Sequence, residues 1–199
     1  LADYQDAEAT SAMLLKTQIK NLGLYGFGAK SFILSMLETT LEVTKNEVDG
    51  SIVKKILQLG KDLINKPVIL LDGVKEVLES FHAHGFKLIV ATKGDLLDQE
   101  RKLLNSGIEK YFHHIEIMSD KKEVNYAKLL AHLEIEPKDF LMIGNSLKSD
   151  IIPVLNIGGY GVHIPFHTTW AHEEVFDTSG LKHYWELESI SEIHQLILQ

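Results

Sequence analysis

The sequence of 199 residues contains no cysteine. This absence excludes disulfide bonds, thiolate metal sites and cysteine nucleophiles, and it is compatible with a reducing compartment. No apolar run approaches the roughly 20 residues that a membrane-spanning helix requires. The first residues also lack the basic and then apolar pattern of a signal peptide. We therefore expect a soluble, cytoplasmic protein without a membrane partner.

Positive charge is also scarce. Lysine and arginine together number 20 against 28 aspartates and glutamates, which gives a formal net charge of -8. Proteins that bind nucleic acid depend on clustered lysine and arginine side chains. We therefore expect no nucleic-acid partner, although an acidic protein can still bind one small phosphate locally. Nothing in the sequence indicates the oligomeric state.

The first third of the sequence has the apolar spacing of amphipathic helices. Apolar residues recur there at intervals of three and four, the period of one helix face. The glycine-rich stretch 22–28 and the stretch 44–46 separate three predicted helices, and Pro67 ends the helical pattern. We therefore predict a small helical domain over residues 1–66.

Residues 67–199 have a different pattern, in which short apolar runs alternate with turns and amphipathic stretches. Such an alternation is typical of a parallel sheet that is buried on both faces. We therefore predict the α/β class, with a doubly wound parallel sheet of the Rossmann-like type that follows the helical domain in the sequence. The predicted strands cover 86–91, 114–118, 140–143 and 160–164, and the predicted helices cover 74–84, 96–105, 124–133, 150–156 and 189–198.

Polar residues follow three of these strands directly. Open parallel sheets bind ligands at the carboxyl ends of their strands. The first strand is followed by Thr92 and Lys93, the second by 119–122, and the third by 144–146 with Asp150 soon after. A hydroxyl, cations, a glycine-led turn and a carboxylate are therefore expected at one edge, and this combination suits a bound phosphate with magnesium.

Each of these residues has an ordinary structural explanation when it is taken alone. Thr92 could simply end a strand, Lys121 and Lys122 could be solvated loop residues, and Asp150 could cap a helix. Their joint placement after successive strands favours a functional site. A zinc site built from His163, His167, His172 and Glu173 is disfavoured, because their spacing matches no helical metal motif.

The strand-end residues resemble the motifs of the haloacid dehalogenase superfamily of hydrolases, most of whose members are phosphatases. Residues 88–94 are similar to the strand that ends in a phosphate-binding Thr or Ser. Residues 119–121 are similar to the lysine motif, with Lys122 as the alternative lysine. Residues 142–150 are similar to the acidic motif that binds magnesium. The likeness spans about residues 70–166, and the leading helices resemble the cap domain of that family.

This resemblance implies a function and a role for each candidate residue. The implied activity is a Mg²⁺-dependent phosphatase that acts on a small phosphorylated metabolite through an aspartyl-phosphate intermediate. A dehalogenase and a catalytically silent binding protein remain as alternatives. By resemblance, Lys121 is the catalytic lysine, Thr92 and Lys93 bind the substrate, and Asn145 and Asp150 bind Mg²⁺.

Two departures from the family pattern matter. The apolar strand that ends in Asp-x-Asp, which supplies the nucleophile and normally lies at the centre of the sheet, is not found in this sequence. Asp3 and Asp6 do not replace it, because no apolar strand precedes them. We therefore expect that the natural protein begins upstream of residue 1. The second departure is Asn145, which stands where the family often has aspartate and offers magnesium a neutral oxygen.

Overall fold

The computed structural model describes residues 4–167 and 177–198. The chain divides into two compact units, Leu1–Val68 with Lys93–Asn105 and Ile69–Thr92 with Ser106–Gln199. The helices are α1 (Ala7–Tyr25), α2 (Ala29–Val43), α3 (Gly50–Ile64), α4 (Val74–Ala83), α5 (Leu96–Ser106), α6 (Glu123–His132), α7 (Ile152–Asn156) and α8 (Ile193–Ile197). The strands are β1 (Ile89–Lys93), β2 (His114–Met118), β3 (Leu141–Gly144), β4 (Tyr160–His163) and β5 (Tyr184–Glu186).

The first unit consists of helices. Side-chain caps begin two of them, because Asp6 accepts a hydrogen bond from the Ala9 N–H and Asp49 accepts one from the Ser51 N–H, at 2.9 and 2.7 Å. The buried residues of α1 and α2 are polar, namely Thr17, Asn21, Ser31, Ser35, Thr39 and Thr40. One hydrogen bond joins the two helices, from Asn21 Nδ2 to Ser35 Oγ at 3.2 Å.

The second unit contains the sheet in two pieces. β1 is hydrogen-bonded to β2, and the other piece has the order β3-β4-β5. β4 pairs in parallel with β3 on one side and with β5 on the other. Consecutive parallel strands require crossover connections, and α7 provides the connection between β3 and β4.

Apolar side chains cover the sheet on both faces. Met142 of β3 packs into a cluster with Tyr126 and Leu129 of α6 and with Val154 of α7. The neighbouring β3 residues, Leu141 and Ile143, pack against a second cluster that is formed by α4, α8 and Val162. Successive side chains of a strand point to opposite faces, so this alternation places helices on both sides of the sheet. The α/β class predicted from the sequence is confirmed.

Some element boundaries differ from the predicted ones. β1 begins at Ile89 rather than Phe86, since the Leu88 N–H donates to the His113 ring and the Leu88 carbonyl accepts from the His113 N–H. The helix predicted to begin at Asp150 begins at Ile152 instead, and Asp150 belongs to the π-helical turn Leu147–Ile151 that precedes it. β5 was not predicted, because three residues are too few to establish an alternating pattern.

Two further expectations concern organisation and membranes. The domain boundary at residue 66 remains a prediction, and the structure groups 93–105 with the leading helices. Within the two described stretches of chain, none of the helices has both the length and the apolar character required to cross a bilayer.

Candidate active site at the strand ends

A buried ion pair joins the loops that follow β2 and β3. Lys121 Nζ lies 2.6 Å from Asp150 Oδ1, and the two side chains are only 10% and 6% exposed. Two opposite charges removed from water attract each other strongly, and each depends on the other to remain buried. The fold therefore brings together two predicted site residues that are 29 positions apart.

The backbone around β3 holds the Asp150 carboxylate in place. The Ser146 N–H donates to Asp150 Oδ2 at 3.0 Å, and Ser146 Oγ accepts from the Ser149 N–H at 3.0 Å. Gly144 leaves the space that this carboxylate fills, because a Cβ added there would lie 2.6 Å from both Cβ and Cγ of Asp150. The glycine of the predicted motif is therefore a steric requirement.

Helix α6 contacts the turn that carries Asp150. Tyr126 is fully buried, and its hydroxyl donates to the Ser149 carbonyl at 3.0 Å. Ser149 lies in the π-helical turn, and such turns are frequent at functional sites. Because α6 begins two residues after Lys121, one segment carries both the lysine and the tyrosine that contact this turn.

The two candidate lysines have different surroundings. Lys122 is 69% exposed and pairs with Asp120 Oδ2 at 2.8 Å. Its hydrogen bond to Asp120 raises the pKa of the Lys122 ammonium above its ordinary value. Lys121, by contrast, lies against the buried Asp150. The geometry favours Lys121 of the two, and its catalytic role stays a prediction.

Asn145 occupies the turn directly after β3 and is exposed. Its backbone carbonyl lies 3.2 Å from Nε2 of His163, the last residue of β4. The other ring nitrogen, Nδ1, lies 2.9 Å from Glu186 Oε2. The Tyr184 hydroxyl donates to the same Glu186 oxygen at 2.7 Å. A chain of polar contacts therefore runs from the candidate metal-binding turn to β5.

These contacts shift two ionisation equilibria. The hydrogen bonds from Tyr184 and then from His163 hold the pKa of the Glu186 carboxyl below its ordinary value. Burial, followed by the hydrogen bond to Glu186, raises the pKa of the Tyr184 hydroxyl. Sequence reasoning missed both residues, because β5 itself was not predicted. A single histidine within the apolar run 160–164 was the only available signal.

Thr92 and Lys93 end β1 and are both half-buried. In the first unit, Lys93 Nζ lies 4.2 Å from the centre of the Phe27 ring, within the range of a cation–π contact. Lys30 Nζ lies 2.9 and 3.0 Å from the two oxygens of Asp95, and this contact lowers the pKa of the Asp95 carboxyl. Lys93 is thus placed beside an aromatic side chain of the loop between α1 and α2.

The donor atoms of this site fit a magnesium ion as part of its ligand set. Asn145 and Asp150 offer amide and carboxylate oxygens, and magnesium is commonly held by one or two carboxylates together with water and substrate phosphate. Both Asp150 oxygens already accept a hydrogen bond, but each keeps a second lone pair. The positive Lys121 beside Oδ1 favours Oδ2 as the oxygen that faces a cation.

Among the described residues, no group of three or more histidine, cysteine, aspartate or glutamate side chains could hold a metal. His163 and His167 belong to the described residues, whereas His172 and Glu173 lie outside them. Asn145 and Asp150 therefore require further oxygen ligands from water, substrate or another segment.

Comparisons with known proteins identify relatives of this chain. The chain is 28% identical to mouse N-acylneuraminate-9-phosphatase over 127 residues, which cover 61% of this chain and 51% of that protein. It is 30% identical to glyceraldehyde 3-phosphate phosphatase of Pyrococcus abyssi over 92 residues, which cover 43% of this chain and 38% of that protein. The matches thus span about half or less of these curated relatives.

A solved structure matches over a longer range. The crystal structure of a haloacid dehalogenase-like family hydrolase from Xanthomonas campestris has a TM-score of 0.86 and 32% identity to this chain, and the match covers all of this chain and 78% of that one. The family model for haloacid dehalogenase-like hydrolases matches residues 3–158. The resemblance inferred from the strand-end motifs is confirmed, and the chain belongs to the haloacid dehalogenase-like hydrolase family.

Proposed function

We propose that this chain forms the larger part of a Mg²⁺-dependent phosphatase that acts on a small phosphorylated metabolite. The observation that carries the proposal is the buried Lys121–Asp150 pair at the carboxyl ends of β2 and β3. A buried cation and a carboxylate in strand-end loops suit a doubly charged phosphate with a metal ion. The phosphatase relatives support the same reaction class.

Each candidate residue has a distinct role in the proposed reaction. The Lys121 ammonium offsets negative charge on the transferring phosphoryl group, and Asp150 keeps that ammonium in place. Thr92 and Lys93 donate hydrogen bonds to the substrate. Asn145 and Asp150 hold magnesium, which supplies electrostatic stabilisation of the phosphate oxygens.

We further propose that an added strand supplies the nucleophile. Among the described strands, β1 pairs with β2 and β3 pairs with β4, and no ladder joins β1 to β3. Residues from both pieces, such as Ala91 and Met142, nevertheless pack against one apolar cluster. A parallel strand that pairs with both β1 and β3 would complete a continuous sheet and end beside Lys121.

The chemistry of that strand follows from its two carboxylates. The first Asp attacks phosphorus, and the bond from phosphorus to the leaving oxygen breaks as the second Asp gives that oxygen a proton. The second Asp then takes a proton from water, which attacks the aspartyl-phosphate and releases inorganic phosphate. We propose that the helices of residues 1–66 act as a cap that selects the organic part of the substrate.

The decisive experiment compares two forms of the protein. One is the 199-residue chain, and the other adds the coding sequence that precedes it in its gene. Both are assayed for release of p-nitrophenol from its phosphate ester, with Mg²⁺ and with excess EDTA. We expect activity in the longer form only, dependent on Mg²⁺ and abolished by Lys121→Met but retained in Lys122→Met.

The opposite results would reject specific parts of the proposal. Activity in the short form would remove the need for an added strand. Loss of activity in Lys122→Met but not in Lys121→Met would reverse the choice of lysine. Chloride release from a 2-chloroacid that persists in EDTA would favour a dehalogenase, whereas complete inactivity of both forms would favour a binding protein.

A further inference from the structure

His163 holds a backbone atom of the proposed magnesium-binding turn. β4 contacts two consecutive carbonyl groups where β3 ends. The Ile164 N–H donates to the Gly144 carbonyl at 2.9 Å, as in an ordinary parallel ladder. One residue later, the His163 ring lies 3.2 Å from the Asn145 carbonyl through Nε2. Because a carbonyl oxygen only accepts, Nε2–H is the donor.

This side-chain contact continues the ladder by one residue beyond the point where the backbones separate. Gly144 and His163 are the last register partners of β3 and β4. After Asn145, the chain turns so that the Ser146 N–H reaches Asp150 Oδ2 at 3.0 Å. Asn145 is therefore held by His163 on its C=O side, next to the peptide N–H that binds the Asp150 carboxylate.

Two residues of β5 orient the His163 ring. His163 and Glu186 are register partners of β4 and β5, and Nδ1 lies 2.9 Å from Glu186 Oε2. Tyr184 donates to the same oxygen at 2.7 Å and so limits the rotation of the carboxylate. The His163 side chain is only 10% exposed, while that of Glu186 is 55% exposed. A carboxylate that fixes a histidine ring is a frequent way to aim its other nitrogen.

We propose that His163 is a positioning residue for the metal site, and that Glu186 acts through it. By holding the Asn145 carbonyl, His163 fixes the turn from which the Asn145 side chain and the Ser146 N–H reach the proposed ion and Asp150. The inference rests on the proposed magnesium role of Asn145 and Asp150. It also explains how a neutral asparagine serves at this position, since a preorganised turn offsets part of the weaker attraction of an amide.

A purely structural role for His163 makes a different prediction. If the ring only joined β4 to β5 and filled space, its replacement would lower stability and leave metal affinity unchanged. Gln separates the two roles, because its amide nitrogen stands at a reach similar to that of Nε2 and can donate to the Asn145 carbonyl. Leu has a comparable volume but cannot donate a hydrogen bond.

The test measures binding of Mn²⁺, a paramagnetic stand-in for Mg²⁺, to the ¹⁵N-labelled longer form, which adds the coding sequence that precedes the 199-residue chain in its gene. Signal broadening of the 144–146 amides during titration gives the dissociation constant, and excess Mg²⁺ must reverse it. His163→Leu, His163→Gln and Glu186→Ala are compared with Asp150→Ala. His114→Leu is the matched control, because it removes another strand His–Glu contact, His114 to Glu116 at 3.0 Å, in the same unit.

We expect His163→Leu to weaken Mn²⁺ binding about fivefold or more, as expected for the loss of an outer hydrogen bond to a metal site. His163→Gln and His114→Leu should stay within about twofold of the parent. Glu186→Ala, at a position that is 55% exposed, should weaken binding less than His163→Leu but in the same direction. Urea unfolding of each variant checks that it remains folded.

Two results would overturn the inference in distinguishable ways. If Asp150→Ala abolishes binding while both His163→Leu and Glu186→Ala bind like the parent, His163 has no positioning role and the proposed function stands. If the parent gives no broadening at the 144–146 amides, or Asp150→Ala binds as tightly as the parent, the proposed metal site fails together with the inference.

Discussion

At the scale of single residues, the Lys121–Asp150 ion pair makes a prediction about the free energy of unfolding. Both are buried, so removal of one partner leaves the other charge without compensation. We expect Lys121→Met to lower the free energy of unfolding by about 3 kcal/mol, and the double variant with Asp150→Asn to recover part of that loss. Urea unfolding at pH 7 measures both values.

Lys122 supplies the matched control for this prediction. It is 69% exposed, and surface substitutions usually change stability by less than about 0.5 kcal/mol. Lys122→Met should therefore be nearly neutral in the same urea series. Equal losses for the two lysine variants would show that the Lys121–Asp150 contact does not hold the loops together.

Gly144 makes a steric prediction at the same site. An alanine methyl would lie 2.6 Å from Cβ and Cγ of Asp150, so either the carboxylate or the end of β3 must move. We expect Gly144→Ala to destabilise the protein by about 1–3 kcal/mol, the range for overpacked positions. The variant should also weaken Mn²⁺ binding, because Asp150 is displaced.

Gly23 provides the comparison for Gly144. It lies inside α1, and an added Cβ there meets nothing within 4 Å. Gly23→Ala should stabilise the protein by about 0.5–1 kcal/mol, since alanine loses less backbone freedom on entering a helix. Similar effects of the two substitutions on stability would contradict the close packing assigned to Gly144.

At the scale of elements, β5 links stability to acid pH through Glu186. Hydrogen bonds from Tyr184 and His163 lower the pKa of the folded-state carboxyl, so folding favours its ionised form. This contribution is present above the pKa of the unfolded chain and is lost as pH falls through the lower folded-state value. Between about pH 5 and pH 3, Glu186→Gln should therefore lose less stability than the parent.

Urea midpoints measured at intervals of pH test this prediction. The parent and Glu186→Gln curves should converge on acidification, because the neutral amide has no proton to gain. Asp139, which lies in a short turn before β3, serves as a carboxyl outside this network, and Asp139→Asn should follow the parent curve. Parallel curves for the parent and Glu186→Gln would exclude a stabilising role for the ionised carboxylate.

The elements also show how strand pairing extends a site beyond the residues of a motif. The motif 142–150 contains a glycine, an asparagine and a carboxylate, but its geometry depends on Tyr126 of α6 and His163 of β4. Both support the motif through its backbone carbonyls. Support of this kind leaves no spacing pattern in the sequence, since any strand or helix that packs against the turn can provide it.

At the scale of the whole molecule, net charge opposes association of exposed apolar side chains. Leu24, Ile69 and Leu104 are 76%, 83% and 67% exposed, and the formal net charge at pH 7 is -8. Repulsion between like-charged molecules declines near the isoelectric point of about 5.7. We expect light scattering to show a larger apparent mass near pH 5.7 than at pH 8.

Added salt and a substitution at Ile69 provide two further tests of this prediction. At pH 8, about 0.5 M NaCl should increase the apparent mass, because it screens the repulsion over most intermolecular distances. Ile69→Gln should reduce the rise near pH 5.7, since it removes the most exposed of these apolar side chains. An apparent mass that stays constant from pH 5.5 to pH 8 would show that charge does not control association.

The sequence by itself determined the features that depend on local order. Apolar periodicity located the three leading helices and most strands, because burial on one face imposes a repeat on neighbouring residues. The sequence also showed that Thr92, Lys121, Asn145 and Asp150 lie at or soon after the ends of predicted strands. Because the carboxyl ends of parallel strands lie at one edge of a sheet, these four residues were expected at that edge. The resemblance to the family motifs rests on these same residues.

Only the tertiary structure decided which of these residues contact each other. It paired Asp150 with Lys121 rather than Lys122, and it joined Asn145 to His163 and Glu186 across three strands. The two lysines are neighbours in one loop, where no apolar periodicity exists. The sequence pattern therefore does not indicate which of them contacts Asp150. Their contacts are set by the strands and helices that converge on the turn after β3, so distant residues determine the geometry of the site.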